Sequence, residues 1–309
     1  MIDIAPGVSY LDLQFQGRPR VIATGVLEGA GEVALIDPGP SSSLASLTLS
    51  LKERGITVSD LTAIVLTHIH LDHAGATGSL VRQNPRLRVY VHERGAPHMI
   101  NPEKLLASAG RLWGAEMDRL WGEFIPVPAD ALTILRGGES LQIAGQLLDV
   151  AWTPGHASHH VSFFSRDGLA FVGDTAGIKV VPNGDVLPPT PPPDIDLEAW
   201  RRSVELIEKR RPEGLFLTHF GWVAPVGQHF NVLRDRLDTA ARLALTSLDR
   251  EGTDEEREAW FTREFESLLR RGVAAVDTAA YEAAGQFNLN WRGLARYWRK
   301  RASSITSAQ

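Results

Sequence analysis

The chain of 309 residues contains no cysteine. Disulfides and thiolate ligands are therefore excluded, and any metal it binds must be held by nitrogen and oxygen. No apolar stretch approaches the roughly 20 residues of a membrane span, so no membrane partner is expected. Positive charge is not in excess: 32 Lys and Arg stand against 37 Asp and Glu, a formal net charge of -5. That balance gives no general attraction to nucleic acid or to anionic lipid. The opening stretch "MIDIAPGVSYLDLQF" has neither a basic n-region nor an apolar h-region, and the expectation is a cytoplasmic protein. No internal repeat recurs at a solenoid period. What remains is a globular chain, 43% hydrophobic, long enough for one large domain or for one domain with an appendage.

Short β-rich runs separated by Gly or Pro fill the first third: "VSYLDLQF" (8-15), "RVIATGVLE" (20-28) and "VALIDPG" (33-39). "SSSLASLTLSLKERG" reads as a helix that Gly55 can end. "LTAIVLT" (61-67) fits a buried strand, and "LRVYVH" (87-92) another, with a short helix over 74-84 between them. Residues 101-122 read as helical. The strand pattern restarts with "LTIL", "LQIAG" and "LLDVAWTPG", and "HVSFFSRDGLAFVGD" (160-174) reads as a hairpin. "PNGDVLPPTPPPD" (182-194) can be neither helix nor central strand and reads as a stiff loop. An amphipathic helix over 194-210 and a strand "LFLT" lead to His219. From about residue 230 the pattern is nearly all helical. Two strand-rich stretches, 8-92 and 132-219, each with helices of their own, predict two packed β layers flanked by helices.

Three of the ten histidines and one aspartate fall within six positions in "HIHLDH" (68-73), directly after the apolar run "LTAIVLT" (61-67). Imidazole nitrogen and carboxylate oxygen suit Zn, Fe or Mn. His68 and His70 are two apart, so an extended backbone points both to one side. Asp72 and His73 follow in a turn and can face a second ion. Further single ligand candidates end other apolar runs: His156 in "TPGHASHH", Asp174 in "FVGDT" and His219 in "LTHFG".

With these motifs the sequence resembles the metallo-β-lactamase superfamily, over roughly residues 8 to 230. The resemblance implies an α/β fold, a four-layer αββα sandwich over residues 1-230, with residues 231-309 as a C-terminal helical appendage packed on it. It implies two divalent cations, zinc first with iron or manganese as alternatives. His68, His70 and His156 would hold one ion, Asp72, His73 and His219 the other, and Asp174 would bridge both. Asp72 and Asp174 would carry the catalysis with a metal-bridging hydroxide, in a hydrolase acting on a small-molecule ester, lactone or thioester. The alternatives are a phosphodiesterase of the same fold and an oxidoreductase resembling the mononuclear-iron persulfide dioxygenases. True β-lactamases fit less well, because exported lactamases need a signal sequence. The stretch "GDTAGIKVVPNG" lacks the cysteine and arginine that follow "GDT" in glyoxalase II, and no tyrosine lies between 174 and 219, where the homoserine lactonases place one.

His159, Trp222 and His229 are candidates for lining the pocket. His92, His98 and His160 read as structural, and Thr67, Thr153 and Thr218 as hydrogen-bond partners of the ligands. "DREGTDEEREAW" reads as a solvated helix start, and "NWRGLARYWRKR" as a terminal helix that packs Trp291, Leu294 and Trp298 on the fold. The proline-rich loop is expected to wall the metal site. A carbonyl substrate is expected over a phosphodiester, because the ligand motifs themselves contain no Arg or Lys to hold phosphate oxygens.

Overall fold

The strand-rich stretches form two sheets in the computed structural model, which describes residues 1–270 and 275–306, but the run "LTIL", expected to open the second stretch, joins the first sheet. The first sheet has seven strands in chain order: β1 (Ile2–Ala5), β2 (Val8–Asp12), β3 (Ala23–Gly29), β4 (Glu32–Ile36), β5 (Leu61–Val65), β6 (Arg88–His92) and β7 (Leu132–Leu135). The second has six: β8 (Ser140–Ile143), β9 (Gln146–Trp152), β10 (Val161–Ser165), β11 (Leu169–Phe171), β12 (Gly214–Leu217) and β13 (Gly221–Val223), ordered β13-β12-β11-β10-β9-β8. Pairing is parallel from β4 through β7 and between β11 and β12. Parallel neighbours need crossovers, and helices supply them. α1 (Leu44–Lys52) joins β4 to β5, α2 (Leu71–Ala74) and α3 (Thr77–Gln83) join β5 to β6, and α7 (Leu197–Lys209) lies between β11 and β12. Between β6 and β7 come α4 (Ala96–Ile100), α5 (Glu103–Trp113) and α6 (Met117–Trp121).

The period-two alternation of the strands sorts the core into three layers. Leu27, Ala34, Ile36 and Val65 of the first sheet meet Phe163, Phe171 and Phe216 of the second in the layer between the sheets. Their neighbours Val26, Leu35, Ile64 and Val89 face outward onto Leu47, Leu51 and Leu80 of α1 and α3. Phe164, Ala170, Leu215 and Leu217 face outward on the other side, against Trp200, Val204 and Ile207 of α7. These layers make the expected αββα sandwich. Two short strands were not legible in the sequence pattern: β1 precedes the first expected strand, and β13 follows His219.

Four helices follow: α8 (Val226–Leu248), α9 (Asp254–Arg270), α10 (Ala275–Gly285) and α11 (Phe287–Thr306). The expected domain border at 230/231 falls inside α8, so the sandwich runs into the helical segment without a linker. Of the expected appendage 231-309, residues 271-274 and 307-309 lie outside the described residues. Leu233, Leu237, Phe261, Phe265, Trp291 and Leu294 join the same buried cluster as α7. Trp291 Nε1 donates to Ser247 Oγ at 2.7 Å and Trp298 Nε1 to the Ala241 carbonyl at 2.9 Å. The proline-rich loop is pinned by α11: the Thr190 backbone N–H donates to Asn290 Oδ1 at 2.7 Å. Among the described residues no helix is long and apolar enough to cross a membrane.

Candidate metal centre

The seven ligand candidates sit where chain segments leave the two sheets at one shared edge. His68 follows β5, His70 immediately precedes α2, and Asp72 and His73 lie in the single turn of α2. His156 lies in the loop after β9, Asp174 in a tight turn after β11, and His219 between β12 and β13. Backbone special positions aim them. Gly173, just before Asp174, has a φ of +44°, and a Cβ there would meet Thr67 Oγ1 at 2.5 Å and His160 Nε2 at 2.7 Å. Only glycine fits that turn without displacing them. At Gly155, just before His156, a Cβ would lie 2.3 Å from the Trp200 backbone.

The seven side chains converge into overlapping sets whose donor atoms lie within 4.8 Å of one another: His68, His70 and His156; His68, His73 and Asp174; Asp72, His73 and His219. His70 Nδ1 lies 3.1 Å from His68 Nε2 and 2.9 Å from His156 Nε2. On the other side, His219 Nε2 lies 3.3 Å from Asp72 Oδ2, and His73 Nε2 lies 3.8 Å from the same oxygen. Asp174 stands between the sets. Its Oδ2 is 3.4 Å from His156 Nε2, while its Oδ1 is 3.3 Å from His73 Nε2 and 3.6 Å from His219 Nε2.

The far nitrogens of the histidine rings are tied down, which fixes which nitrogen each ring can offer. His73 Nδ1 donates to Asp37 Oδ2 at 2.8 Å, His156 Nδ1 to the Pro189 carbonyl at 2.9 Å, and His219 Nδ1 to the Val21 carbonyl at 2.7 Å. His68 Nδ1 lies 3.1 Å from Thr67 Oγ1. The freed nitrogens of His73 and His219, with Asp174 Oδ1, are buried and have no hydrogen-bond partner. Buried polar atoms left unpaired cost about 1–3 kcal/mol each, so three together at one point call for a ligand that accepts lone pairs. The residues therefore fit divalent cations bound by nitrogen and oxygen.

Electrostatics agree with the geometry. Burial, reinforced by the neighbouring rings, holds His68 well below the ordinary histidine range and brings His70 to about 4, so both rings are neutral and ready to ligate. Burial also lowers His156, against the pull of Asp174. His73 and His219 go the other way: burial depresses them, but Asp174 and Asp72 outweigh it and raise both. Burial would raise Asp72 too, yet His73 and His219 bring it down to about 2. Asp174 is likewise held well below the carboxylate range despite its burial, by His73, His219 and His156.

Asp37 was missed in the sequence, where it falls within the β-rich run "VALIDPG" (33-39). It is fully buried and accepts four hydrogen bonds: from the Thr67 backbone N–H, Thr67 Oγ1, His73 Nδ1 and Thr218 Oγ1. The signal was an aspartate at the end of an apolar strand. Thr153, expected to support the ligands, bonds His160 and Ser162 instead and ties His160 into the fold.

A cavity of about 290 Å³ opens on the cluster, with His70, Asp72, His156 and Asp174 in its wall. His159 lines it too, and so do Pro189 and Pro191 to Pro193 of the stiff loop. Two expected lining residues are elsewhere. Trp222 pairs with Phe216 across β12 and β13, and alternation turns it toward the layer between the sheets, with its ring against Gly214. His229 is buried in α8, its Nε2 bonded to the Ala176 carbonyl at 2.7 Å. Conversely, His98, read as structural, lines the cavity together with Arg94 and Lys104. Basic residues therefore do reach the site, from the segment after β6 rather than from the ligand motifs. That removes the premise on which phosphodiesters were disfavoured.

A family model, described as metallo-beta-lactamase superfamily, matches residues 17–219. A metallo-beta-lactamase fold-containing protein of Sulfurisphaera tokodaii is 30% identical over 210 residues, 67% of this chain and 76% of that protein. A hydroxyacylglutathione hydrolase of a Synechococcus strain is 31% identical over 143 residues, 46% of this chain; the match spans 43% of that relative's length. Among solved structures, a metallo-beta-lactamase family protein from Thermus thermophilus superposes with a TM-score of 0.65 at 26% identity, covering 97% of this chain and 95% of that one.

Proposed function

This chain belongs to the metallo-beta-lactamase superfamily, and we propose that it is a hydrolase that works with two divalent cations on the carbonyl carbon of an ester, lactone or thioester. One observation carries the reading. Asp174 directs one carboxylate oxygen to the set containing His156 and the other to the set of His73 and His219. A carboxylate shared in this way suits two close cations, because it offsets charge between them. His68, His70 and His156 would hold one, Asp72, His73 and His219 the other, with zinc as the first candidate and iron or manganese behind it. Bound there, the cations supply Lewis acidity that activates water and polarises the scissile carbonyl.

The chain's own residues do the rest. Asp72 and Asp174 are ionised and reach the cavity, so they can accept hydrogen bonds from an entering water and orient it. Ile69, Leu71 and the proline wall line the same cavity and would shield a scissile bond there from bulk water. His159 stands beside them in the cavity wall, its ring centroid 5.7 Å from that of His70, where it can position the substrate. Relatives named hydroxyacylglutathione hydrolase support an acyl substrate over the shared portion. Arg94 and Lys104 in the cavity wall favour a second reading, hydrolysis of a phosphodiester. The test is a carboxylate ester and a phosphodiester with the same leaving group, assayed on the protein reconstituted with zinc. A higher kcat/KM for the carboxylate ester is expected; an equal or higher value for the phosphodiester selects the second reading. One iron per chain with no hydrolysis of either would point instead to the oxidoreductase.

A further inference from the structure

We propose that the cavity is built for an amphipathic anion: a substrate with a carboxylate or phosphate at one end, held by Arg94, His98 and Lys104, and an apolar group at the other, against Leu112, Trp113 and Trp121. The inference rests on the hydrolase reading for what happens between the two ends, but not for the binding itself. All six residues line the cavity. α5 supplies the gradient. Its lining positions are 104, 105, 108, 109, 112 and 113, a single stripe at helical spacing. That stripe begins with Lys104 and ends with Trp113, about 13 Å further along the axis at 1.5 Å per residue.

The basic end comes from one stretch of chain, residues 94-104, from the end of β6 to the first turn of α5. Neither Arg94 nor Lys104 has an ion-pair partner among the described residues, whereas Glu93, next to Arg94 in the chain, pairs with Arg136 at 2.8 Å. Arg94 is positioned all the same: its guanidinium lies over the Trp152 ring at 4.8 Å, and Trp152 Nε1 is bonded to the Ser158 carbonyl at 3.0 Å. That stack leaves the fork of donors free for an anion. The acidic groups facing the same cavity do not supply one. Asp72 and Asp174 belong to the metal centre, and Asp194 accepts from Ser158 Oγ at 2.6 Å. At the apolar end Trp121 is stacked on Phe15 with ring centroids 5.6 Å apart and meets Trp113 edge-on at 5.0 Å, a rigid surface for an acyl chain or ring. The volume of about 290 Å³ matches the enclosed part of a small molecule.

The test uses the zinc-loaded protein and three nonhydrolysable probes: octanamide, its ω-carboxylate and its ω-phosphonate. Intrinsic tryptophan fluorescence, to which the cavity-lining Trp113 and Trp121 contribute, reports binding. At least one anionic probe should bind about tenfold or more tightly than octanamide, the worth of one charge-assisted contact. The probe that gains more identifies carboxylate or phosphate as the group recognised. In the double variant Arg94→Gln/Lys104→Met the preference should disappear. Both positions are exposed, so a thermal midpoint near that of the wild type should accompany the loss. Equal binding of all three probes overturns the proposal. So does a preference that persists in the double variant, since the anion would then sit on the cations. Matched 4-nitrophenyl esters should follow the same order in kcat/KM. Anion preference in binding without turnover of any ester would support this inference while refuting the hydrolase reading.

Discussion

Replacing Asp37 by asparagine should weaken one metal position while leaving the fold in place. Asp37 Oδ2 accepts from His73 Nδ1, Thr67 Oγ1 and Thr218 Oγ1, and Oδ1 from the Thr67 backbone N–H at 2.8 Å. Asparagine has the same shape and tolerates the positive φ of 51° at this position. Its amide oxygen must still face the Thr67 N–H, which can only donate. The NH₂ group then faces His73. The threonine hydroxyls can rotate and accept, but His73 Nδ1–H cannot. The ring must move its proton to Nε2, the nitrogen that faces Asp72 and Asp174. A protonated Nε2 cannot ligate, so affinity at the His73 position should fall by about 10–100-fold, the usual effect of losing such a support. The His68, His70 and His156 set should be much less affected. Asp37→Ala differs: four buried donors lose their acceptor, and about 3–5 kcal/mol of stability should go with them. Competition of the zinc-loaded protein against a chromogenic chelator resolves the two positions, and thermal unfolding separates the two variants. An Asp37→Asn protein that holds both ions with wild-type affinity would refute the tautomer argument.

Other outcomes follow from the same geometry. Asp174→Ala should weaken both metal positions, whereas His73→Ala should mainly empty one; metal analysis after dialysis distinguishes them. Cation binding at pH 7 should release protons, up to one each from His73 and His219. Both have raised pKa values, so both hold a proton below those values, and the release should shrink as pH rises through them. Calorimetry in buffers of different ionisation enthalpy measures it, and no proton release at pH 7 would contradict the charge assignment. Trp291→Ala should cost about 3–5 kcal/mol by opening a cavity in the cluster shared by α7 and α11, lowering the melting temperature without changing metal stoichiometry.

The convergence of the seven candidate ligands was legible because His68, His156, Asp174 and His219 each follow an apolar strand, so local pattern and chemistry coincide. His68, His70, Asp72 and His73 even share one turn of chain. The αββα layers followed from strand alternation and intervening helices. What depended on docking between distant segments was not legible. Arg94, His98 and Lys104 reach the cavity only because the α4–α6 insertion folds over it, and no period in the sequence encodes that. Trp222 was misplaced because β13 is three residues long, too short for its alternation to be read before its partner strand is known. His229 lies inside the uninterrupted helix α8, which also runs through the expected domain border. Asp37 was passed over inside a run read only as a strand, because the partners that make it a support, Thr67, His73 and Thr218, come from distant segments.

The most direct test of the two-cation hydrolase is a titration of metal-free protein with zinc, following hydrolysis of a chromogenic carboxylate ester at each added equivalent. The rate should climb until two ions per chain are bound and then level off, and Asp174→Ala should abolish the rise. A rate that saturates at one equivalent, or no hydrolysis at full occupancy, would contradict the account.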